Sequence, residues 1–147
     1  MVLVEYKKAL IKYAPLARFS AGIELLGPEV KALRSKLGSL EGARVLVRGG
    51  EAYLVGMTIP PYQAANMPKG YDAERPRRLL LTKKEIAELA DAESKKGLTI
   101  VPLEIYSNKR FVKAAIAIVR GKGKSDRRED LKKREALRER DRLLKTK

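Results

Sequence analysis

Residues 99–118 read TIVPLEIYSNKRFVKAAIAI and give the clearest indication of how this chain folds. Two runs rich in β-branched and aliphatic residues flank the polar segment 107–110, an arrangement typical of a β-hairpin. Proline has no amide hydrogen to give to a neighbouring strand. Pro102 therefore predicts either an edge position or a β-bulge in the first of these strands.

A second hairpin is predicted upstream, where Gly49-Gly50 separates the strand-like runs 44–48 and 52–55. Residues 21–26 predict a further strand, which the Gly27-Pro28 pair ends. Several short strands separated by turns favour a mainly β fold. A small OB-like β-barrel is the natural closure for such strands, and this fold commonly presents a basic face to RNA.

Two flanking helices are predicted beside these strands. A proline in the first turn and a glycine beyond the end predict a helix over residues 29–36. Thr82 and Glu85 have the spacing of a capping box, which predicts the start of a second helix that Gly97 ends. Residues 60–78, rich in Pro, Gly and Asn, predict a long loop between the two helices.

The composition indicates an anionic partner. The 147 residues carry 33 Lys and Arg against 18 Asp and Glu, a formal net charge of +15. A protein with such an excess of positive charge commonly binds nucleic acid, and a membrane surface is the second candidate partner. The chain has no Cys and no His, which excludes disulfides, thiolate chemistry and the commonest general base and metal ligand. No acid–base or phosphate-binding motif replaces them, so we expect a binding protein without cofactor or metal rather than an enzyme.

The N-terminus lacks the apolar stretch of a signal peptide. The longest core-like run, residues 114–119, is far shorter than the ~20 residues that a membrane-spanning helix needs. We therefore expect a cytoplasmic protein.

The C-terminal segment differs in character from the rest of the chain. Residues 120–147 hold 13 basic and 6 acidic residues, a net charge of +7, whereas all aromatic residues lie at or before Phe111. These observations predict an RNA-binding body over residues 1–120 and a basic tail over 121–147. With four Leu as its only large apolar residues, the tail is expected to be disordered alone and helical when bound to an anionic groove. A solubilising surface helix and a membrane-surface helix are the alternatives.

Basic clusters and aromatic residues are the candidate contacts of the body. The clusters at 7–8, 75–78 and 83–84 predict phosphate contacts, which position RNA without reading its sequence. The aromatic residues suited to stacking on bases are Tyr6, Tyr62 and Tyr71. The aromatic residues expected in the core, because they occur in strand patterns, are Tyr53, Tyr106 and Phe111.

Short motifs follow one another along most of the chain in a characteristic order. They are KKA at 7–9, AGIEL at 21–25, GPEVKALR at 27–34, PY at 61–62, RPRRLLL at 75–81, EI at 85–86, KGLTIVPL at 96–103, GK at 121–122 and DRREDLK at 126–132. Their order, with nearly the same spacing over about residues 6–140, resembles the SsrA-binding protein family, also called small protein B (SmpB).

This resemblance implies a fold, a function and a set of partners. Family members have an OB-type barrel with attached helices and bind the tRNA-like part of transfer-messenger RNA (tmRNA). They bring it, with elongation factor Tu and GTP, to ribosomes stalled on truncated messages, in the process called trans-translation. The tail becomes helical in the empty mRNA channel, near the decoding region of the ribosomal RNA. No cofactor is implied, and we expect a monomer.

Two sets of candidate contacts follow from the resemblance and the basic clusters. The residues of the barrel expected to bind RNA are Lys7, Lys8, Gly22, Glu29, Lys31, Arg34, Arg77, Arg78 and Lys83. Glu29 is expected to accept hydrogen bonds from RNA or to orient a neighbouring Arg. The residues of the tail expected to bind the ribosome are Lys122, Lys124, Asp126, Arg127, Arg128, Lys132, Lys133 and Arg134.

The chain also departs from the family pattern. Tyr6, Ile11 and Ser20 stand where the family usually has Asn, His and Glu near the RNA elbow, and Ser125 replaces an aromatic residue or His before the tail's Asp. These departures leave open whether the RNA has co-varied or specificity has weakened. A non-specific RNA-binding or ribosome-associated structural protein is the alternative function. A coiled coil through the tail is a third, disfavoured because sustained heptads are missing.

Overall fold

The computed structural model describes residues 1–63, 67–108 and 110–121. These residues form seven β-strands and three α-helices. The strands are β1 (Val2–Glu5), β2 (Tyr13–Ile23), β3 (Arg44–Arg48), β4 (Glu51–Val55), β5 (Arg77–Leu80), β6 (Leu98–Asn108) and β7 (Phe111–Gly121). The helices are α1 (Ala9–Lys12), α2 (Gly27–Arg34) and α3 (Lys83–Ser94).

All seven strands belong to one sheet in the order β1-β6-β7-β2-β5-β4-β3, and every pairing is antiparallel. The edge strand β3 also packs against β6, beside the opposite edge, so the sheet curls into a barrel. This arrangement confirms the prediction of a mainly β, barrel-type fold with flanking helices.

The hairpin of β6 and β7 is the longest pairing in the sheet. The two strands remain paired from Leu98 and Arg120 to Asn108 and Phe111, so both are longer than predicted. Their register shifts just after Pro102, which confirms the predicted β-bulge. The alternative of an edge position is wrong, because β6 lies between β1 and β7.

The predicted hairpin at Gly49-Gly50 is also confirmed. Arg48 pairs with Glu51, and both glycines have positive φ, 60° and 76°. Two consecutive residues in this region are the signature of the tight turn whose twist matches a hairpin, and glycine adopts it without steric cost.

Two other boundaries in the structure differ from those predicted. The strand expected over 21–26 is part of the longer β2, which ends at Ile23. The predicted loop 60–78 ends early, because Arg77–Leu80 forms β5 between β2 and β4. Arg77 and Arg78 make up half of this strand, so a search for apolar residues at strand spacing does not detect it.

Both predicted helices are present. The helix expected over 29–36 is α2, displaced toward the N-terminus, and α3 begins with the predicted capping box. The Glu85 amide donates to Thr82 Oγ1 at 3.2 Å, and the Thr82 amide donates to Glu85 Oε1 at 3.0 Å. The Val47 amide donates to Glu93 Oε2 of α3 at 2.8 Å, which satisfies a polar group on the free edge of β3.

The interior is aliphatic, as expected from a chain with few aromatic residues. Its largest fully buried apolar side chains are Leu33, Leu40, Leu54, Met57, Ile59, Leu79, Leu89, Ile100, Ile105 and Ile116. Within the described residues, no helix is long and apolar enough to cross a membrane.

Candidate nucleic-acid interface

A buried carboxylate lies where α2 meets the loop that precedes β5. Glu29 has no exposed surface, and neither does Arg77. Arg77 donates from Nε and Nη2 to Glu29 Oε2 at 3.1 and 2.6 Å, and Arg75 donates to both carboxylate oxygens. The Tyr71 hydroxyl lies 2.8 Å from Glu29 Oε2, and the Leu26 amide donates to Oε1 at 2.8 Å. The network fastens the loop to the first turn of α2.

Burial by itself raises the pKa of Glu29. The hydrogen bonds from Arg75, the Leu26 amide, Arg77 and Tyr71 outweigh it, and together they lower the pKa from 4.5 to about 2. The carboxylate is therefore charged at neutral pH. It serves as the counter-ion of a guanidinium that has no exposed surface.

The depressed pKa predicts acid sensitivity. A carboxylate with a folded-state pKa below its unfolded value stabilises the fold above the unfolded pKa, and the stabilisation is lost as pH falls. We expect the free energy of unfolding to fall by roughly 3 kcal/mol between pH 6 and pH 2 because of Glu29. Urea unfolding at a series of pH values measures it. A shallower slope for Glu29→Gln is expected, and an unchanged slope would assign the acid sensitivity to other groups.

The burial of Glu29 and Arg77 changes the role predicted for them. Neither side chain is available to RNA in this structure, so they cannot be the direct contacts that were predicted. The second predicted role for Glu29 fits, because its carboxylate orients Arg75 and Arg77. Arg77 also donates to the carbonyl oxygens of Met57 and Ala73, which leaves it wholly committed to the interior.

Arg78 and Lys83 are exposed, whereas Arg77 is buried, so the predicted basic cluster at 75–78 is not exposed as a whole. Arg78 donates to Glu51 at 3.0 Å and to Glu24 at 3.3 Å. These two carboxylates partly neutralise it. Lys83 opens α3, and within the described residues it forms no ion pair.

The remaining basic candidates of the body lie in the β1–α1 turn and on α2. Lys7 and Lys8 occupy the turn between β1 and α1, and Lys8 forms an exposed ion pair of 3.7 Å with Glu41. Lys31 and Arg34 are exposed on α2, which packs against β1. The structure thus brings these four cations onto neighbouring elements and presents them to solvent.

Gly22 lies on the outward face of the sheet, in a pocket that Val30 of α2 also lines. In the strand register it faces Leu80 of β5 on one side and Lys113 of β7 on the other. A Cβ at Gly22 would come within 3.2 Å of the Leu80 side chain, so a larger residue would displace it. Leu80 is 48% exposed and Phe111 is 68% exposed, and both line the same shallow pocket as Gly22. We call Gly22, Leu80, Phe111 and Lys113 the sheet platform.

The structure places two aromatic residues, Phe111 and Tyr6, differently from the sequence prediction. Phe111 was expected in the core, which is wrong, because it begins β7 at the hairpin end and its ring projects outward. Successive side chains of a strand point to opposite faces, so Phe111 lies on the same outward face as Lys113. This spacing could have predicted the exposure of Phe111 from the sequence. Tyr6, a candidate for stacking, is instead buried, with 7% of its surface exposed. Tyr71 is held by Glu29, and Tyr62 is exposed.

Comparison with known proteins shows which protein family has this sequence and fold. The family model described as SmpB protein matches residues 3–146. The chain belongs to the SmpB family. The SsrA-binding protein of Thermosipho africanus is 46% identical over 145 residues, which cover 98% of this chain and 97% of that relative. The SsrA-binding protein of Coxiella burnetii (strain Dugway 5J108-111) is 43% identical over 140 residues, covering 95% and 88%.

A solved structure also resembles this SmpB family member. It is described as "tmRNA-SmpB: a journey to the center of the bacterial ribosome", and it matches with a TM-score of 0.69 at 36% identity. The match covers 86% of this chain and 92% of that one.

The SmpB family match runs past Gly121 into the C-terminal segment. The eight tail residues predicted to bind the ribosome therefore fall within the family pattern. All of them, from Lys122 to Arg134, lie outside the described residues, and so does the predicted transition of the tail to a helix.

Proposed function

We propose that this chain binds the tRNA-like domain of tmRNA and brings it to stalled ribosomes for trans-translation. In this role it works by docking, without catalysis and without a cofactor. Its partners are tmRNA, the ribosome and, through the tmRNA complex, elongation factor Tu with GTP. The names of its relatives and of its structural neighbour support this function, as does the net charge of +15.

The observation that carries the proposal is the sheet platform. An exposed ring, an exposed aliphatic side chain and a glycine form an apolar surface that an unpaired base can stack on. Lys113 and Arg110 line the same pocket and supply positive charge for the adjoining phosphates. The exposed cations Lys7, Lys31 and Arg34 extend the phosphate-binding surface on the neighbouring elements.

A gel-shift titration tests the function. It compares the source organism's tRNA-like domain with an ordinary tRNA at two salt concentrations. We expect tight binding to the tRNA-like domain that persists at the higher salt. Equal and steeply salt-sensitive binding to both RNAs would mean that counterion release supplies nearly all the affinity. The chain would then be a non-specific RNA-binding protein.

Substitution of Phe111 tests the platform within this function. Base–aromatic stacking contributes about 1–3 kcal/mol per base, so Phe111→Ala is expected to weaken binding to the tRNA-like domain by roughly tenfold. Phe111→Tyr keeps the ring and is expected to keep the affinity. Because the Phe111 side chain is largely exposed, neither change should unfold the protein. Equal affinities for Phe111→Ala and the unsubstituted protein in the same gel-shift assay would remove the platform from the interface.

A further inference from the structure

A second pocket on the outward face of the sheet has an unusual combination of charges. It lies between the β1–α1 turn and strands β6, β7 and β2, with a volume of about 260 Å³. Apolar side chains, Leu103 and Ala115 among them, line part of it. Four charged residues also line it: Glu5, Lys7, Arg18 and Glu104. We call these the charged quartet.

The strand register explains why the charged residues of the quartet lie close together. Glu5 of β1 is the direct partner of Glu104 of β6, and Glu104 in turn is the partner of Ala115 in β7. On the other side of β7, Arg18 is the partner of Ala117. Small residues on β7 therefore leave space between two carboxylates on one side and a guanidinium on the other. Like charges directly opposite each other in a sheet are unfavourable, so Glu5 beside Glu104 costs stability.

The quartet is unpaired in the part of the chain that the structure describes. None of its four side chains forms an ion pair or a hydrogen bond there. Other surface charges do pair, as Arg48 does with Glu93 and Lys95 does with Asp91. Acceptors and donors thus line one small pocket, and among the described residues their side chains have no protein partner.

We propose that this pocket receives one unstacked base of the bound RNA, and that Glu5 and Glu104 read the hydrogen-bond donors on its edge. The inference rests on the proposed RNA-binding function and adds a specificity site to it. A pocket of about 260 Å³ admits a single base and not a helix. Proteins read RNA sequence mainly through such splayed bases, by stacking and by hydrogen bonds to the exposed edges.

The chemistry of the quartet favours guanine. A carboxylate only accepts hydrogen bonds, so it selects a base edge that donates. The Watson–Crick edge of guanine presents an imino and an amino donor side by side, so two adjacent donors can face the two carboxylates. Lys7 and Arg18 are donors, suited to the O6 acceptor of the base and to its phosphate. Uracil presents a single imino donor between two carbonyls and fits the two carboxylates poorly.

Replacing a carboxylate by a neutral amide distinguishes this proposal from purely electrostatic attraction, because the two predict changes in RNA affinity of opposite sign. If RNA binding were governed by net charge alone, Glu5→Gln and Glu104→Gln would each tighten it, because each removes a negative charge. If the carboxylates read a base, each change is expected to weaken binding to the tRNA-like domain by about tenfold. Glu88→Gln, an exposed position on α3, is the matched control and should leave the affinity unchanged or slightly higher.

The measurement is the gel-shift titration with the full chain, with circular dichroism to confirm that each variant folds. Loss of affinity in Glu5→Gln and Glu104→Gln but not in Glu88→Gln supports the pocket. Unchanged or tighter binding in both quartet variants overturns it, while the unsubstituted protein's preference for the tRNA-like domain would leave the proposed function intact. Failure of that preference would instead count against the function itself.

A titration followed by NMR tests the identity of the base. Guanosine monophosphate at millimolar concentration is expected to shift the amide resonances of Glu5, Lys7 and Glu104 in the full chain. Uridine monophosphate offers Lys7 the same phosphate but a poorer base edge, so it should shift Glu5 and Glu104 much less. Glu104→Gln should abolish the difference between the two nucleotides. Equal shifts with both nucleotides, or none with guanosine monophosphate, would contradict guanine reading.

Discussion

Deletion of residues 122–147 is expected to abolish ribosome rescue while the body keeps its affinity for the tRNA-like domain within a few-fold. The deletion leaves every described strand and helix intact, because β7 ends at Gly121. It removes the eight residues predicted to bind the ribosome, most of them cations that would neutralise ribosomal RNA phosphates. Loss of six or more phosphate contacts lowers affinity by orders of magnitude, so we expect rescue to fall by more than about 100-fold.

Two measurements are needed for this prediction. Rescue is followed in a reconstituted translation system programmed with a truncated message, and RNA binding is followed by gel shift. A full-length variant with Ala at the seven basic positions between 122 and 134 is the control for length. If it behaves like the deletion, charge is the property that matters. If the deletion loses binding to the tRNA-like domain as well, the division of labour between body and tail is wrong.

The substitution Glu29→Gln is expected to destabilise the fold by about 3–5 kcal/mol. Its near-isosteric amide fills the same space but leaves the fully buried guanidinium of Arg77 without its counter-ion. Removing one partner of a buried ion pair is costly, because the remaining charge stays buried without compensation. Chemical unfolding monitored by circular dichroism measures the change, which is a large fraction of the stability of a small domain.

Two controls isolate the buried pair. Glu24→Gln removes an exposed partner of Arg78 and should cost at most about 1 kcal/mol. Arg77→Met is expected to cost less in the Glu29→Gln background than in the unsubstituted protein, because the unpaired charge is then absent. A loss below about 1 kcal/mol for Glu29→Gln would show that water or another group compensates Arg77.

The tail deletion and Glu29→Gln act on different properties. The tail deletion removes residues predicted to contact the ribosome. Glu29→Gln weakens the interactions that hold the loop before β5 against α2. A variant that unfolds also loses RNA binding, so stability has to be measured before any loss of function is assigned to the interface.

Local patterns were enough for much of the fold. The hairpin at Gly49-Gly50, the bulge at Pro102 and the capping box at Thr82 depend on backbone geometry and hydrogen bonds within a few residues. The family likewise follows from the order of short motifs, and the match over residues 3–146 confirms it. The charge of the C-terminal segment is a matter of composition alone.

The roles of individual charged residues required the tertiary structure. Arg77 and Arg78 are neighbours in sequence and chemically identical, yet one is fully buried against Glu29 and the other is exposed between Glu24 and Glu51. Their opposite orientations follow from the alternation of β5, a strand that the hydrophobic pattern did not reveal.

The outward sheet face needed the same information. Gly22, Leu80 and Lys113 are far apart in the chain and meet only through the pairing of β5, β2 and β7. Glu5, Arg18 and Glu104 meet through the pairing of β1, β6, β7 and β2. Sequence sets local conformation and net charge because these depend on near neighbours, whereas strand register brings distant side chains together and is settled by packing of the whole sheet.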